Sequence, residues 1–411
     1  MKEIKVVIGK NFGDEGKGAA VDRFCRGKRA LVVRHNGGAQ AGHTVEEGSF
    51  RFVFHQLGSG SLRGASTYWS HTFIPDLLKL SEEIESFKVM AGKAGASVKI
   101  YAHSDCACAT VYDVLLNSLT EQVRGSKKHG SCGMGIYETL RRTGDGQYAL
   151  YLKDFINAET EDIADRLLKI RDEYVCKRIR ELHAGNQEQW ERQEIQKWLE
   201  LIADENILWN AALRMCDNFK KYIVLADWKQ LAGQYDTIVF ENAQGLMLDM
   251  GNMEYYPHLT PSHTGLTNAA ELLQEIEASG SLEIAYISRT YVTRHGAGRL
   301  DYECDKADIN PHMQDATNVP NAWQDSLRYG KHPWGEEFFR YIRKDLQVLE
   351  TLLKDNKDRL QTRITLWLTH VDETGDKVIF ADKTRALEEV ADECEKQGIA
   401  FHVFERQGKC N

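Results

Sequence analysis

The opening of the chain most constrains the fold, because two short apolar runs there each end in a glycine-rich loop. The first run, residues 4–8, is rich in β-branched side chains and stops at Gly9, and the second spans residues 30–33. Residues 19–26, between them, have room for a short helix. Apolar runs of this kind are typical of buried parallel strands, which need a crossover connection. We therefore expect the chain to open as a β-α-β unit.

Further apolar runs have the same character, and charge-rich helical stretches separate several of them. They occupy residues 98–102, 237–240, 284–287, 364–368 and 399–403. This alternation favours an α/β fold with a large, mostly parallel central sheet flanked by helices. Residues from about 159 to 232 differ, since their apolar side chains recur at helical spacing among many charged ones. We expect one domain over residues 1–411, with a helical insertion or subdomain at about 159–232.

Composition excludes several classes of protein. Lys and Arg number 52 against 61 Asp and Glu, so the net charge is −9 and no nucleic-acid surface is expected. No apolar stretch approaches the roughly 18 residues that span a bilayer, and the first residues form a strand pattern rather than a signal peptide. The nine scattered cysteines fit reduced thiols. We expect a cytoplasmic protein without membrane contact.

The first glycine-rich loop, residues 9–18, has the composition of a phosphate-binding loop. Glycines let backbone N–H groups turn toward an anion, the helix N-terminus adds partial positive charge, and Lys17 adds a full one. Six residues, rather than four, separate Gly9 from Gly16, and Gly18 stands where a Walker A motif has Ser or Thr. The loop is therefore of another class. A glycine-rich turn with a solvated lysine is the alternative for this segment taken alone.

Acidic residues and a histidine accompany the two loops. Carboxylates such as Asp14 and Glu15 are unfavourable beside a phosphate unless a metal ion or a proton transfer offsets the repulsion, so a magnesium nucleotide is expected. The second loop, residues 36–44, contains His43. Because the ends of parallel strands meet at one edge of a sheet, His43 is expected to meet Asp14 across the same phosphate. A histidine there would donate to the transferring oxygens.

Taken together, these segments resemble the adenylosuccinate synthetase family. The matching segments are Val-Val-Ile-Gly (6–9), Gly-Asp-Glu-Gly-Lys-Gly (13–18), Arg-His-Asn-Gly-Gly (34–38), Ala-Gly-His-Thr (41–44), Phe-Glu-Asn-Ala-Gln-Gly (240–245), Tyr-Pro-His-Leu-Thr (256–260), Thr-Arg-His-Gly-Ala-Gly (293–298) and Thr-His-Val-Asp (369–372). The resemblance implies a ligase that uses GTP and Mg²⁺ to join L-aspartate to inosine monophosphate (IMP). It also implies a homodimer whose other partners are small molecules, namely nucleotides and an amino acid.

The resemblance assigns catalytic roles to three side chains. Asp14 would remove the purine N1 proton and bind the metal together with the Gly42 carbonyl. His43 would act as the acid beside the phosphoryl group, and Lys17 would stabilise its charge. Asp372 would read guanine, because a carboxylate accepts from both N1–H and N2–H₂. The residues expected to bind GTP are Gly13, Glu15, Gly16, Lys17, Gly18, Gly42, His43, Thr44 and Asp372.

The expected monophosphate site departs in part from the family pattern. By position it contains Gln40, Cys132, Arg141, Arg142, Gln244 and Thr260. Arg141 or Arg142 matches the arginine that reaches the neighbouring subunit's phosphate. Gln40 stands where the family has Asn, and Cys132 stands where it has a phosphate-binding Thr. In the segment expected to bind guanine, residues 369–372, His370 replaces a Lys. The sequence therefore does not determine the selectivity for GTP over ATP.

The expected amine site departs further. The family grips the two carboxylates of aspartate with an arginine-rich loop, and residues 317–330 keep only Arg328 of that cluster. Arg294 is the other arginine expected to bind the amine substrate. Trp323 and Asp325 weaken the recognition of a dicarboxylate. Three hypotheses follow: an IMP and aspartate ligase, a specialised homologue using a different purine nucleotide such as a guanine nucleotide or a different amino acid, and a nucleotide-binding regulator without turnover.

Overall fold

The computed structural model describes residues 2–95, 97–125, 133–187, 190–313, 327–354 and 358–404. The chain divides into two compact units, of which the first comprises residues 1–37, 41–68 and 227–411. The second comprises residues 38–40 and 69–226. Within the described ranges, no helix is both long enough and apolar enough to cross a membrane.

Strands are numbered along the whole chain. They are β1 (Glu3–Gly9), β2 (Ala30–Arg34), β3 (His43–Glu47), β4 (Phe50–Phe54), β5 (Ser66–Trp69), β6 (Ile100–Ala102), β7 (Ile223–Leu225), β8 (Thr237–Gly245), β9 (Gly280–Arg289), β10 (Val292–Arg294), β11 (Glu303–Cys304), β12 (Arg328–Gly330), β13 (Leu360–Thr369), β14 (Lys377–Ile379), β15 (Thr384–Ala386) and β16 (Ala400–Val403).

Helices are numbered in the same way. They are α1 (Lys17–Cys25), α2 (Leu80–Met90), α3 (Val111–Arg124), α4 (Ile136–Gly144), α5 (Thr160–Lys169), α6 (Cys176–Ala184), α7 (Gln193–Ala203), α8 (Glu205–Tyr222), α9 (Trp228–Ala232), α10 (Thr267–Glu275), α11 (Lys306–Ile309), α12 (Glu336–Leu352) and α13 (Leu387–Lys396).

A parallel sheet forms the centre of the first unit. Its strands lie in the order β16-β13-β9-β1-β8-β2-β5. Strand β1 is central and pairs in parallel with both neighbours, so that Val6 lies opposite Phe240 on β8 and Ile284 on β9. Strands β1, β2, β8 and β9 are buried on both faces over most of their length, as the apolar runs within them require. The predicted fold class, a large and mostly parallel sheet flanked by helices, is confirmed.

Helix α1 packs against one face of this sheet and fixes the loop before it. Its buried side chains Ala20, Val21 and Phe24 join Val7 and Val239 in one apolar cluster. Because α1 begins at Lys17, directly after the glycine-rich loop, the loop is held between the end of β1 and the N-terminus of a well-anchored helix. The β-α-β opening expected from the sequence is present, with α1 starting two residues earlier than predicted.

The second unit is mostly helical, with the short parallel pair β6 and β7. Helix α3 begins with a capping box in which Thr110 and Asp113 satisfy each other's backbone N–H groups. Helices α5 and α6 are joined without a break by a π-helical turn, Ile170–Val175. The helices from Thr160 to Tyr222 belong to this unit, which begins at residue 69. One domain with an insertion at about 159–232 stays a prediction.

Candidate active site

The loop after β1 adopts a conformation that its sequence demands. Gly13, Asp14 and Gly16 all have positive φ angles, of 107°, 59° and 90°. Glycine takes this left-handed backbone at little cost, whereas Asp14 takes it with strain. A Cβ atom at Gly9 would overlap the Glu15 carboxylate and lie 2.9 Å from Lys17 Nζ. The loop therefore closes tightly over its own charged side chains.

Glu15 is the buried centre of the loop. Its Oε1 accepts a hydrogen bond from the Asn11 N–H, and its Oε2 lies 3.9 Å from Lys17 Nζ. Burial raises the pKa of Glu15 to about 7, although Lys17 and the Asn11 N–H favour the ionised form. Glu15 therefore holds the loop backbone through Asn11 and lies beside Lys17.

Neighbouring strands tie the loop down from the other side. The Thr369 hydroxyl, at the end of β13, donates to the Glu15 carbonyl at 2.9 Å. The Arg289 guanidinium, at the end of β9, donates through Nε to the Asp14 carbonyl at 2.5 Å. Carboxyl ends of parallel strands meet at one edge, so the sheet topology places both donors under the loop.

The two glycine-rich loops lie against each other. A Cβ atom at Gly18 would be 2.8 Å from the Thr44 carbonyl oxygen and 3.1 Å from His43. Asn36 fixes the second loop to β8, because its side chain both donates to and accepts from the Ala243 backbone, at 3.0 and 2.8 Å. Thr44 and exposed Gly42 therefore lie beside the start of α1.

His43 is the first residue of β3, and its partner is Glu241. Nδ1 lies 2.7 Å from Glu241 Oε1, and the Glu241 carboxylate also accepts from the backbone N–H and the hydroxyl of Ser59. Burial lowers the pKa of His43 to about 4, although Glu241 favours its charged form. His43, Arg34 and Ser59 together keep the pKa of Glu241 at about 2, against the effect of burial. Neutral His43 thus donates through Nδ1, which leaves Nε2 for a ligand.

Asp14 has a direct histidine neighbour that the sequence did not single out, and the meeting of His43 with Asp14 across a phosphate stays a prediction. His295 Nε2 lies 3.6 Å from Asp14 Oδ2, whereas His43 is paired with Glu241. About a third of the Asp14 side chain is exposed, so the carboxylate is accessible at the surface of the loop. The described residues contain no group of three or more His, Cys, Asp or Glu side chains arranged to hold a metal. One accessible carboxylate fits Mg²⁺, which commonly binds through one or two carboxylates, substrate phosphates and water.

Gln244 and Thr260 lie in the segments that follow β8. The backbone of Gln244 has φ 66° and passes 3.6 Å from the position of a Cβ atom at Gly13. Gly245 approaches the loop so closely that its own Cβ would be 2.7 Å from the Gly13 nitrogen. The half-buried Thr260 donates its N–H to the Leu248 carbonyl at 2.9 Å. The β8 end therefore reaches the phosphate loop directly at Gln244.

The two arginines predicted for the amine substrate are paired on opposite strands, Arg294 on β10 and Arg328 on β12. Arg294 is buried, and its guanidinium donates to the carbonyls of Arg299 and His258. Burial, with the nearby charge of Arg328, lowers the pKa of Arg294 to about 10. Arg328 forms a bidentate pair with Glu303 at 2.7 and 2.5 Å. Both arginines are therefore already engaged by neighbouring groups.

The predicted monophosphate residues of the second unit differ in exposure. Arg142 is fully buried, with a bidentate pair to Asp113 at 2.9 and 2.8 Å and further bonds to two carbonyls. Arg141 is exposed and lies 3.3 Å from Glu181. Gln40 is half-buried, and Cys132 lies outside the described residues. Of the two adjacent arginines, only Arg141 extends into solvent.

The predicted guanine reader lies one turn beyond the end of β13. Asp372 is exposed at the start of a short 3₁₀ turn, Val371–Thr374. His370, before it, has a left-handed backbone with φ 57°, and its Nδ1 lies 2.8 Å from the Thr369 hydroxyl. The side chain that replaces the family's Lys therefore contacts the same hydroxyl that holds the phosphate loop.

Glu241, His295 and Thr369 are among the residues of the site that were not predicted from the sequence. Glu241 had a usable signal, because it is a carboxylate inside an apolar strand run, and a charge there requires a partner. His295 and Thr369 had none beyond their place in the quoted motifs. Their contacts with Asp14 and Glu15 join residues far apart in the sequence.

Comparison with known proteins gives one consistent family. The family model described as "Adenylosuccinate synthetase" matches residues 6–322. An adenylosuccinate synthetase of Thermoplasma volcanium is 28% identical over 76% of this chain and 66% of its own length. One from Alteromonas mediterranea is 30% identical over 75% of this chain and likewise 66% of its own length. The matched region thus spans just under two thirds of these relatives.

Solved structures show the same fold. Fully ligated adenylosuccinate synthetase from Plasmodium falciparum superposes with a TM-score of 0.62 at 18% identity, covering 92% of this chain and 79% of its own. The cyanophage S-2L succinoaminodeoxyadenylate synthetase, bound to dGMP and to dATP as an energy donor, gives 0.58 at 15% identity, covering 98% and 92%.

Proposed function

The chain belongs to the adenylosuccinate synthetase family, and from this premise we propose that it is a GTP- and Mg²⁺-dependent carbon–nitrogen ligase. The proposed reaction joins L-aspartate to IMP to give adenylosuccinate. We further propose a cytoplasmic homodimer whose other partners are small molecules. The observation that carries the proposal is the contact between the two loops, which gathers Lys17, Asp14 and His43 around the N-terminus of α1.

Asp14 begins the proposed reaction as the base. Its accessible carboxylate takes the purine N1 proton, which turns O6 into an oxyanion able to attack the γ-phosphorus of GTP. GDP leaves as the O6–P bond forms. The amine nitrogen then attacks C6 and inorganic phosphate departs. Arg289 supports this role, because its bond to the Asp14 carbonyl holds the strained backbone that presents the carboxylate.

His43 and Lys17 stabilise the transferring phosphoryl group in this scheme. Glu241 fixes the ring of His43 through Nδ1, so that Nε2 is the atom available to the phosphoryl oxygens. The negative charge of GTP and of Glu241 opposes the effect of burial and favours the imidazolium, which donates through Nε2. Lys17 adds its charge at the helix N-terminus, where backbone N–H groups already favour an anion.

The described part of the protein offers few ligands for Mg²⁺, so most of the ligands of the ion would come from the nucleotide phosphates and water. Asp14 would hold it with one carboxylate, together with the carbonyl of exposed Gly42. When bound, the ion neutralises charge on the phosphate oxygens. The remaining GTP contacts are those that the family resemblance implies, namely Gly13, Glu15, Gly16, Gly18 and Thr44, with the guanine read by Asp372.

Phosphate release provides the direct test. Protein supplied with GTP, Mg²⁺, IMP and aspartate should release phosphate and form adenylosuccinate. Asp14→Asn should abolish release while GTP binding, measured by calorimetry, persists. A wild-type protein that binds GTP but releases no phosphate with any purine monophosphate and amino acid would instead support a nucleotide-binding regulator.

A second candidate keeps the class of reaction and changes an acceptor substrate. Arg328 and Arg294 are engaged by Glu303 and by backbone carbonyls, and the family match ends at residue 322, inside the altered segment 317–330. These observations favour a homologue with a different amino acid or a different purine nucleotide. Residues 314–326, including Trp323 and Asp325, lie outside the described residues.

A substrate screen separates the two candidates. GTP and ATP are crossed with IMP, GMP and dGMP and with several amino acids, and phosphate release is measured for each combination. Turnover with IMP and aspartate alone supports the first candidate. Turnover confined to a guanine nucleotide, or to an amino acid other than aspartate, supports the second.

A further inference from the structure

Four charged side chains connect helices α4 and α6 of the second unit. Arg178 on α6 lies 3.4 Å from Glu138 on α4 and 2.6 Å from Glu181 on its own helix. Glu181 in turn lies 3.3 Å from Arg141 on α4. The contacts form a continuous chain, Glu138–Arg178–Glu181–Arg141, which we call the α4–α6 charge chain.

The inner half of this chain is fixed. Glu138 is 3% exposed and Arg178 7%, so their pairing is shielded from solvent and salt. A buried charge that loses its partner is strongly destabilising, and each therefore holds the other in place. Arg178 also lowers the pKa of Glu181, which keeps that carboxylate ionised.

The outer half is exposed. The side chains of Arg141 and Glu181 are 44% and 42% exposed, and the same oxygen, Glu181 Oε2, contacts both Arg141 and Arg178. If Arg141 moves away, Glu181 keeps its shorter bond to Arg178. The Glu181 carboxylate thus keeps a partner without Arg141, and Arg141 can leave without exposing a buried charge.

The surrounding helices support this arrangement. Arg142, next to Arg141, anchors α4 to α3 through Asp113, so the backbone that carries Arg141 is rigid. The π-helical turn Ile170–Val175 directly precedes α6. It rotates the positions of all later side chains about the helix axis, relative to a continuous α-helix. Such turns are rare and occur often at functional sites. Here the turn sets which face of α6 carries Arg178 and Glu181.

We propose that Glu181 is a positioning residue that holds Arg141 in the nucleotide-free protein and competes with the purine monophosphate for it. The proposal rests on the proposed function and on the expectation from the family resemblance that Arg141 or Arg142 reaches the phosphate of a neighbouring copy's monophosphate; of the two, only Arg141 is exposed. A phosphate dianion pairs with arginine better than one carboxylate does, so the ligand displaces Glu181. Glu181 thereby lowers affinity for weaker anions and keeps the arginine extended until the ligand arrives.

The test compares Glu181→Gln with Glu161→Gln, which removes the same charge from an exposed site on the same helical run. The first measurement needs no substrate: the rate at which phenylglyoxal modifies Arg141, followed by peptide mass mapping, with buried Arg142 as the internal reference. We expect faster modification of Arg141 in Glu181→Gln only. An unchanged rate, or an equal change in Glu161→Gln, overturns the proposal whether or not the protein is a ligase.

The second measurement is the KM for IMP at low ionic strength. Exposed ion pairs are weak, so Glu181→Gln should lower this KM roughly two- to fivefold with kcat unchanged. In an Arg141→Ala background, which is expected to be inactive, Glu181→Gln should leave the Kd for IMP, measured by calorimetry, unchanged. A KM that is unchanged or raised overturns the competitive role. Absence of turnover in wild-type protein refutes the proposed function, and the labelling result then decides the Arg141–Glu181 contact alone.

Discussion

Glu241 illustrates how one buried carboxylate organises a catalytic side chain. It accepts hydrogen bonds from His43 Nδ1 and from both donors of Ser59, so all three groups have one possible orientation. Its strand, β8, is central in the first unit, which makes the carboxylate as rigid as the sheet. The orientation of His43 thus depends on a residue that need not touch a substrate.

Replacing Glu241 should therefore reduce turnover. In Glu241→Gln, the amide keeps one acceptor oxygen and cannot satisfy three donors, so the ring of His43 loses its fixed orientation. We expect kcat to fall at least about tenfold, with an upper limit set by the roughly 10²- to 10⁴-fold that a general acid contributes. Ser59→Ala removes a donor but keeps the carboxylate, and its effect should be smaller. Equal kcat in wild-type and Glu241→Gln protein would contradict this role for Glu241.

Asp372 should determine the choice of nucleotide triphosphate. Asp372→Asn replaces an acceptor-only group with one that also donates, which weakens pairing with guanine N1–H and N2–H₂. Since hydrogen bonds to charged groups contribute about 1.5–3 kcal/mol, the GTP-to-ATP ratio of kcat/KM should fall roughly 10- to 100-fold. Asp376→Asn, a nearby exposed substitution, is the control. A ratio that is the same in both variants would exclude Asp372 as the reader.

At the scale of single residues, the role of a side chain could be predicted where its residue type and its loop already imply that role. Lys17 among glycines at a helix start is such a case, and the structure places it there. Partners of these residues could not be predicted in the same way. His43 was expected to meet Asp14 across a phosphate, but its direct partner, Glu241, was not foreseen and lies 198 residues away in the sequence. Only the strand order brings such residues together.

At the scale of elements, α12 carries a buried acid at its middle. Asp345 accepts from the Leu266 N–H and the Tyr286 hydroxyl, both at 2.8 Å. Burial raises the pKa of Asp345 to about 7 from an ordinary 3.8. The folded chain therefore favours the neutral carboxyl of Asp345. The contribution of this group to the free energy of unfolding is complete below about pH 4 and is lost as the pH rises toward 7.

The raised pKa of Asp345 predicts how the stability of the protein changes with pH. Between about pH 4 and 7, wild-type protein should lose up to about 4 kcal/mol of unfolding free energy relative to Asp345→Asn. Urea unfolding across that range measures the difference. Glu350→Gln, an exposed change on the same helix, should give a difference that does not vary with pH. A pH-independent difference for Asp345→Asn would show that Asp345 ionises normally.

The contact between the two glycine-rich loops should be sensitive to one methyl group. In Gly18→Ala the new Cβ lies 2.8 Å from the Thr44 carbonyl oxygen. Overpacking costs about 1–3 kcal/mol, which exceeds the gain of about 1 kcal/mol from replacing a helical glycine. We expect lower stability in urea and a large loss of phosphate release.

Gly144→Ala is the matched control for that substitution. Gly144 ends α4, and a Cβ there meets no atom within 4 Å, so stability should rise slightly or stay constant. If Gly18→Ala behaved like Gly144→Ala in both measurements, the two loops would not need their close contact.

Predicted elements were most reliable where an apolar run was buried on both faces. Every run predicted as a strand lies within or overlaps an observed strand, including β1, β8 and β13. The hairpin of β3 and β4 was missed, because its faces alternate between buried and exposed residues and its sequence is rich in charged side chains. His43 was therefore placed in a loop, whereas it opens a strand.

At the scale of the whole molecule, the proposed homodimer makes a prediction that no single chain can satisfy. If Arg141 completes the site of a neighbouring copy, each site takes Asp14 from one subunit and Arg141 from the other. The variants Asp14→Asn and Arg141→Ala then remove residues that different subunits contribute to a site. Mixed dimers then contain one site with both residues intact. Equal mixing of the two inactive variants should restore about a quarter of wild-type phosphate release. Arg141→Ala protein carried alone through the same mixing procedure is the control. If the mixture of the two variants recovers no phosphate release, Asp14 and Arg141 belong to the site of one subunit.

The 2.9 Å hydrogen bond from Thr369 to the Glu15 carbonyl joins the segment proposed to read the base to the loop proposed to hold the phosphates. A nucleotide whose base displaces this segment also displaces the backbone next to Asp14. Discrimination between bases will then affect the rate of the chemical step as well as binding. If the proposed roles hold, we expect fidelity toward the energy donor to depend on timing: a wrong triphosphate would occupy the site and dissociate before it reacts.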